Sequence, residues 1–381
     1  MLLHLCPAGD WVRALRRGRI DPLPEVGFVH LSAPDQVHLP AGRLFAGRDD
    51  VLLLVVDPAR LTDPVRLEPG VPGDPESMRF PHLYGPLPAT AVVAVQPWAA
   101  EHRLPVPEAD DPAGRHAALE TSLPLRRALA SGEPVQRRAA GWAVGSPDHP
   151  VSGEDNRLLL PAPVGTAQVL ADAGPLVPGA AAAVTWCWPG ADDAAARLAH
   201  DLAGAGWRIT ADRVMSRSVP PATGAAPDGG VPDGAAEVVD QTDVHPLWAE
   251  AWRGLIPDDP AAVRQLVDRE HRTARAVGVI DVGVRDRGRV VAAGQLRTDG
   301  ATAAVEAVLT DPAYRGRGLG DAVLARLLVE AARAGCDLAV LAADPSDWPR
   351  HWYARRGFDD VGVVRSATPP DQAGTSQLSS R

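Results

Sequence analysis

Tyr314-Arg315-Gly316-Arg317-Gly318-Leu319-Gly320-Asp321 lies between two runs of opposite character. Upstream, Ala303 to Thr310 is mostly apolar and reads as a buried strand; downstream, Val323, Leu324, Leu327, Leu328 and Ala331 recur at helical spacing until Gly335. Three glycines in close succession let the backbone curl, so that consecutive N–H groups converge where the helix begins. The first helical turn adds unpaired amides and the positive end of a dipole, and Arg315 and Arg317 add cationic donors. The octapeptide therefore predicts a pyrophosphate cradle between strand and helix. Asp321 suits the helix dipole but would repel phosphate, so it is expected to point away from the loop.

Three classes of ligand compete for such a cradle. A nucleoside-triphosphate loop needs Gly-x-x-x-x-Gly-Lys followed by Ser or Thr, and the chain contains no lysine. A dinucleotide fingerprint is Gly-x-Gly-x-x-Gly, whereas Gly316, Gly318 and Gly320 are evenly spaced. Asp344 stands where the acid ending the next strand would fall, so the dinucleotide alternative stays open. The third class is coenzyme A. Arg315, Gly318 and Gly320 fit the pattern Gln or Arg, two residues, Gly, one residue, then Gly or Ala, and this resembles the coenzyme A signature of the Gcn5-related N-acetyltransferase (GNAT) superfamily.

The resemblance runs from about Glu237 to Val364 in the superfamily's order of elements. Helical stretches around His245 to Ala251 and Pro260 to Val277 come first. Strand candidates follow at Val279–Val284, Arg289–Thr298 and Ala301–Thr310, separated by turn signals at Asp286–Gly288 and Asp299–Gly300. After the cradle helix, Leu338 to Ala343 is a further strand, and a short helix from about Pro349 has Asp347 as its cap and Gly357 as its stop. Tyr353 to Phe358 resembles the superfamily's Tyr-x-x-x-Gly-Phe ending, so both signatures occur in the expected order.

This resemblance implies an α+β fold with a mixed sheet, and an enzyme that moves an acetyl group from acetyl-CoA to an amine by direct attack. It implies that backbone groups of Val308, Leu309 and Thr310 pair with the pantetheine arm as an added strand would, while Arg315, Gly316, Arg317, Gly318, Leu319 and Gly320 hold the pyrophosphate. The chemistry needs a base for the attacking amine and an acid for the departing sulfur. Glu306, on a strand face with Val308 and Thr310, is the candidate base, and Tyr353 the candidate acid. The plainer readings are a solvated strand-edge carboxylate and a tyrosine packed beneath the coenzyme.

The amino-terminal block, Met1 to about residue 104, has its own pattern: Leu2–Leu5, Gly27-Phe28-Val29-His30-Leu31-Ser32, Val51–Asp57, Phe80-Pro81-His82-Leu83-Tyr84-Gly85-Pro86 and Ala91–Gln96. Its two motif segments resemble, in order, those of the bacterial domain-of-unknown-function family 952, which implies a small α+β domain. A strand bearing His4, followed by a helix near Trp11 to Arg17, looks distantly like ADP-ribosyltransferase folds that bind NAD. His4, His30, His82, Ser32 and Tyr84 are candidates for one polar cleft. None of the histidines is paired at metal-ligand spacing, so no metal is expected.

Between residues 115 and 219 strands and helices alternate again, with a strand at Val184–Trp188 and a helix at Asp192–Gly204. The order is similar to half of a tandem acetyltransferase that has lost its cradle, a degenerate GNAT-like scaffold. Asp155, Asn156 and Arg157 read as a turn. A seam at about Leu104–Gly114 and a flexible linker at Pro220–Ala236 divide the chain, the transferase domain spans 237–365, and a polar tail is expected to be disordered from Ser366 to Arg381.

At 381 residues and 45% hydrophobic content the chain supports several domains with ordinary cores. A net charge of −10, with no cluster of arginines and interleaved aromatics, argues against nucleic acid as a partner. No apolar stretch approaches membrane length, and Cys6, Cys187 and Cys336 are too far apart to suggest a disulfide framework or a metal knuckle, so a cytoplasmic protein is expected. A composition rich in Ala, Gly, Pro and Arg looks like coding from a GC-rich bacterial genome. The acceptor is expected to be a small-molecule or peptide amine. Two rival functions remain: a non-catalytic acyl-CoA sensor, and an amino-terminal block that acts on NAD or another nucleotide.

Overall fold

The computed structural model describes residues 1–70, 78–99, 104–221 and 236–370. The amino-terminal domain contains β1 (Leu2–Pro7), α1 (Ala8–Arg17), β2 (Arg19–Ile20), β3 (Val29–His30), α2 (His38–Leu44), β4 (Val51–Val56), β5 (Val65–Pro69), β6 (Arg79–Leu83), β7 (Leu87–Pro88) and β8 (Val92–Pro97). Its central sheet runs β1-β4-β8, and a second small sheet runs β3-β6-β5. Trp11 on α1 is fully buried in one cluster with Leu52, Leu54 and Val95, because the helix lays its apolar side, with Leu15 at the edge, onto the inward-facing residues of the sheet.

The middle segment supplies α3 (Pro112–Ser131), β9 (Val135–Arg138), β10 (Gly141–Val144), β11 (Arg157–Leu160), α4 (Thr166–Asp172), β12 (Ala183–Trp186), α5 (Asp192–Gly204) and β13 (Arg208–Ser218). The carboxy-terminal part contains β14 (Glu237–Val239), α6 (Gln241–Leu255), α7 (Pro260–Asp268), a 3-10 segment Arg269–Arg275, β15 (Gly278–Asp286), β16 (Arg289–Asp299), β17 (Thr302–Thr310), α8 (Leu319–Arg333), β18 (Leu338–Ala343), α9 (Trp348–Ala354) and β19 (Asp359–Thr368).

These two segments form one mixed sheet of eleven strands, β14-β15-β16-β17-β18-β13-β19-β12-β11-β10-β9. They exchange strands at its centre: β13 of the middle segment lies between β18 and β19, and β19 of the carboxy-terminal segment lies between β13 and β12. The sheet is therefore continuous across the expected boundary at 220–236. Residues 222–235 of that linker lie outside the described residues. The expected tail needs correcting, since Ser366 to Thr368 belong to β19, where Ser366 pairs with Thr185 and Thr210. A polar composition misled here, because a strand flanked on both sides by partners satisfies its backbone whatever its side chains. Residues 371–381 lie outside the described residues.

Helix α8 covers one face of the carboxy-terminal strands through Val323, Leu324, Leu327 and Ala331. Helices α6 and α7 cover part of the opposite face. Helix α3 lies on that opposite face too, with Leu119 and Leu123 packed on Ala304, Leu338 and Val340. The amino-terminal domain docks at the turn between β16 and β17, where Ala301 N–H donates to Val92 O at 2.8 Å and Thr302 Oγ1 donates to Val93 O at 2.8 Å. Gly300 adopts a φ of +64°, and a Cβ there would come within 2.2 Å of Val92 O, so only glycine permits this approach.

Candidate active site

Strands β17 and β18 run parallel but pair only from Thr302↔Leu338 to Ala304↔Val340. Beyond Ala304 they splay apart. The cause lies in β17, where Ala307 adopts a φ of +49° and the register with β16 slips by one residue between Leu309 and Glu306. That is a β-bulge, which bends a strand and ends its pairing. Val305 to Thr310 thus present a backbone edge to the opening with no partner strand, and it includes Val308, Leu309 and Thr310.

At the mouth of the opening the chain turns through a short 3-10 segment, Pro312–Tyr314, into the glycine-rich loop. Gly316 and Gly318 hold φ values of +74° and +76°, and nothing lies within 4 Å of where a Cβ would stand on either. Residues 315–318 are exposed and Leu319 and Gly320 half-buried, so the loop is open to a ligand. Gly318 caps α8 without a side-chain bond, which leaves the first amides of that helix unsatisfied by protein. Arg317 lies over the Tyr314 ring at 4.9 Å, and neither it nor Arg315 forms an ion pair among the described residues. Asp321 turns away to pair with Arg356, which stacks over Trp352 at 4.2 Å. These features fit an incoming diphosphate. Gly318→Ala, strained by about 1 kcal/mol at positive φ, is expected to raise the acetyl-CoA Kd about fivefold while leaving Tm nearly unchanged, as calorimetry and thermal melts would read.

Glu306 and Tyr353 stand near enough that the carboxylate's charge acts on the phenol. Burial and then Glu306 push the Tyr353 hydroxyl above its ordinary range, so it stays protonated at neutral pH. Its ring packs edge-on against Trp352 and Phe358 at 4.8 and 5.6 Å. Burial pushes the Glu306 carboxyl up to about 7; Arg297 opposes this, and Glu154, Glu120 and Glu270 add to it. The Glu306 side chain remains 41% exposed, so water in the cleft screens part of that effect. It lies 3.9 Å from the Arg297 guanidinium.

Several charged neighbours of Glu306 come from elements that the motif does not contain. Glu120 belongs to α3, Glu154 to the turn before β11, and Glu270 to the 3-10 segment. Asp155, Asn156 and Arg157 do form a turn leading into β11, but they are buried rather than solvated. Asp155 forms ion pairs with Arg127 and Arg272 at 3.1 and 2.8 Å, and Arg157 reaches Glu120 at 3.4 Å. No local signal marks these residues, because their partners are distant in sequence.

In the amino-terminal domain, His30 and His82 face one another across β3 and β6, and Phe28 stacks on His82 at 3.9 Å. Tyr84 donates to Glu68 at 2.7 Å, His82 lies 3.3 Å from the same carboxylate, and His4 Nδ1 is 2.7 Å from His30 O. Ser32 instead sits in the backbone ladder beside Leu3. No group of three His, Cys, Asp or Glu side chains among the described residues is arranged to hold a metal. The three cysteines are buried and unpaired with one another. No described helix is long and apolar enough to cross a membrane.

Residues 242–358 match the Acetyltransferase (GNAT) family, and residues 5–95 match a protein of unknown function, DUF952. Each match covers less than half of the chain, so the class is a mixed α+β chain with one stretch similar to GNAT acetyltransferases and another similar to DUF952 proteins. Among particular relatives, a 68-residue stretch is 44% identical to the probable glucosamine 6-phosphate N-acetyltransferase 2 of Oryza sativa subsp. japonica, covering 18% of this chain and 40% of that protein. A GCN5-related N-acetyltransferase from Kribbella flavida is similar over 67% of this chain and 95% of its own, at 17% identity and a TM-score of 0.43. A Caulobacter crescentus protein is similar over 25% of this chain and 83% of its own, at 29% identity and a TM-score of 0.23.

Proposed function

We propose that the chain is an acyltransferase that moves an acetyl group from acetyl-CoA to an amine. The observation that carries this reading is the splay of β17 from β18, with an unpaired backbone edge on one side and the open glycine loop of α8 at its mouth. The edge from Val305 to Thr310 offers main-chain groups to a pantetheine arm, and Arg315, Arg317 and the α8 amides offer donors to a diphosphate.

The thioester supplies an activated acetyl group. Glu306, ionised, draws a proton from the amine, directly or through one water, as nitrogen bonds to the carbonyl carbon. Tyr353 gives its proton to the sulfur as the carbon–sulfur bond breaks, and both residues are reset by solvent. An amide and free thiol result. The test is thiol release by purified protein across a panel of amines. Tyr353→Phe is expected to lower kcat roughly 10- to 100-fold, in the range of a lost acid catalyst, while the acetyl-CoA KM holds. Tight binding of acetyl-CoA with no thiol released to any amine would leave the sensor reading in its place.

A further inference from the structure

Around the splay the sheet carries a polar face. Cross-strand neighbours project to the same side, so Gln295 and Arg297 share a face with Glu306 and Ala304. On β18 the same side holds Leu338 and Val340, which α3 covers with Leu119 and Leu123. The cover stops one step later. Ala342 is exposed, alone among the residues of β18, although its strand is central in the sheet. A hollow therefore opens beside Glu306 on the face opposite α8. Asp212 and Asp344 both come one step beyond the Arg213↔Ala343 pair, on the side away from Ala342.

The charge that meets solvent in this hollow is negative. Glu306, Glu120 and Glu154 are 41%, 30% and 25% exposed, whereas Arg297, Arg157 and Arg269 are only 10%, 5% and 3% exposed. The guanidiniums brace the carboxylates from the protein side and present little of themselves. Asp212 feels Asp344 and Glu120 in addition to its burial. His116, one helical turn before Glu120 on α3, is 5% exposed, and its Nδ1 has no hydrogen-bond partner among the described residues. Burial favours its neutral form, which leaves one ring nitrogen able to accept an N–H.

We propose that the acceptor is a polycationic amine, with the attacking nitrogen neutral at Glu306 and a second, ammonium nitrogen held by Glu120, Glu154, Asp212 and Asp344. This rests on the transferase reading above. A neutral nucleophile and a charged partner on one molecule suit a cleft whose negative rim concentrates cations and holds the far one. An acceptor carrying phosphate is disfavoured, since Arg297, Arg157 and Arg269, which pair with these glutamates, are 10%, 5% and 3% exposed and present little charge to neutralise it. The chain thus parts from what the name of its rice relative says of that protein.

The test is thiol release from acetyl-CoA by the full chain, with spermidine, glucosamine and glucosamine 6-phosphate as acceptors. Spermidine is expected to be preferred over glucosamine 6-phosphate by at least about 100-fold in kcat/KM, and its KM is expected to rise several-fold between low and high salt as screening sets in. Glu120→Gln and Asp212→Asn should each raise the spermidine KM about tenfold, by loss of one charge contact, with the acetyl-CoA KM unchanged. The salt series uses the unaltered chain and so stands even if a variant misfolds. Preference for glucosamine 6-phosphate, or a spermidine KM indifferent to salt, overturns the proposal while leaving a transferase. Thiol release to no amine, with acetyl-CoA still bound in calorimetry, overturns both readings.

Discussion

Glu306→Gln is expected to lower kcat about 100- to 1000-fold, in the range of a lost general base, and to abolish the acid limb of the pH profile. The sign follows from its surroundings. Burial and three neighbouring glutamates push the carboxyl up to about 7, and Arg297 offsets only part of this. A base works when deprotonated, so kcat should climb as pH rises through that value and flatten above it. An unshifted carboxylate would be fully ionised by pH 6 and would give no such limb. Glutamine keeps the shape and the contact to Arg297 but takes no proton, so the residual rate should lose its acid limb. Stopped-time thiol release between pH 5.5 and 9 reads both effects. A glutamine variant with the parental rate and the parental profile would return Glu306 to a solvated strand-edge residue.

Arg297→Met should move that same limb upward. Removing the one cation that stabilises the ionised form leaves burial and the three glutamates unopposed. The direction separates two causes of a low rate, since a misplaced base would slow the reaction at every pH, whereas a base of raised pKa recovers at alkaline pH.

The elements around the cradle were legible because their signals are local. Asp347 caps α9 through Trp348 N–H at 2.7 Å, Gly357 ends that helix at a φ of +78°, and Leu338–Ala343 is a strand with the limits its apolar run sets. Each choice is made by a residue and its near neighbours. The strand exchange was not legible, because β13 and β19 select each other over 140 residues apart, and pairing at that distance leaves no pattern in either segment. The same reason hid the carboxylates around Glu306. Glu306 stands in the strand that the motif marks, but Glu120 and Glu154 come from the segment read as a scaffold, and only folding brings them to it. The bulge at Ala307 was hidden too. A non-glycine residue at positive φ is costly, so sequence alone predicts an unbroken strand there.

Asp299 is a buried, ion-paired carboxylate away from the cleft. It is the last residue of β16, before the turn into β17, and is 3% exposed, accepting from Trp11 Nε1 at 2.9 Å and from both terminal nitrogens of Arg126 at 3.0 and 2.6 Å. Those partners come from the amino-terminal domain and from α3, so one side chain ties three segments together. Asp299→Ala would leave the Arg126 charge buried and unpaired and the Trp11 indole without an acceptor, a loss of about 3–5 kcal/mol. Urea unfolding should show this as a lower midpoint. Asp299→Asn keeps an acceptor for Trp11 while removing the charge, and should fall between the two. Because the turn lies at the opposite end of β17 from Thr310, the fraction of Asp299→Ala protein that remains folded should keep its acetyl-CoA affinity. A midpoint shift worth less than 1 kcal/mol would mean that the domains are held by the backbone contacts of Ala301 and Thr302 with Val92 and Val93, and that the buried ion pair adds little beyond the cost of its own desolvation.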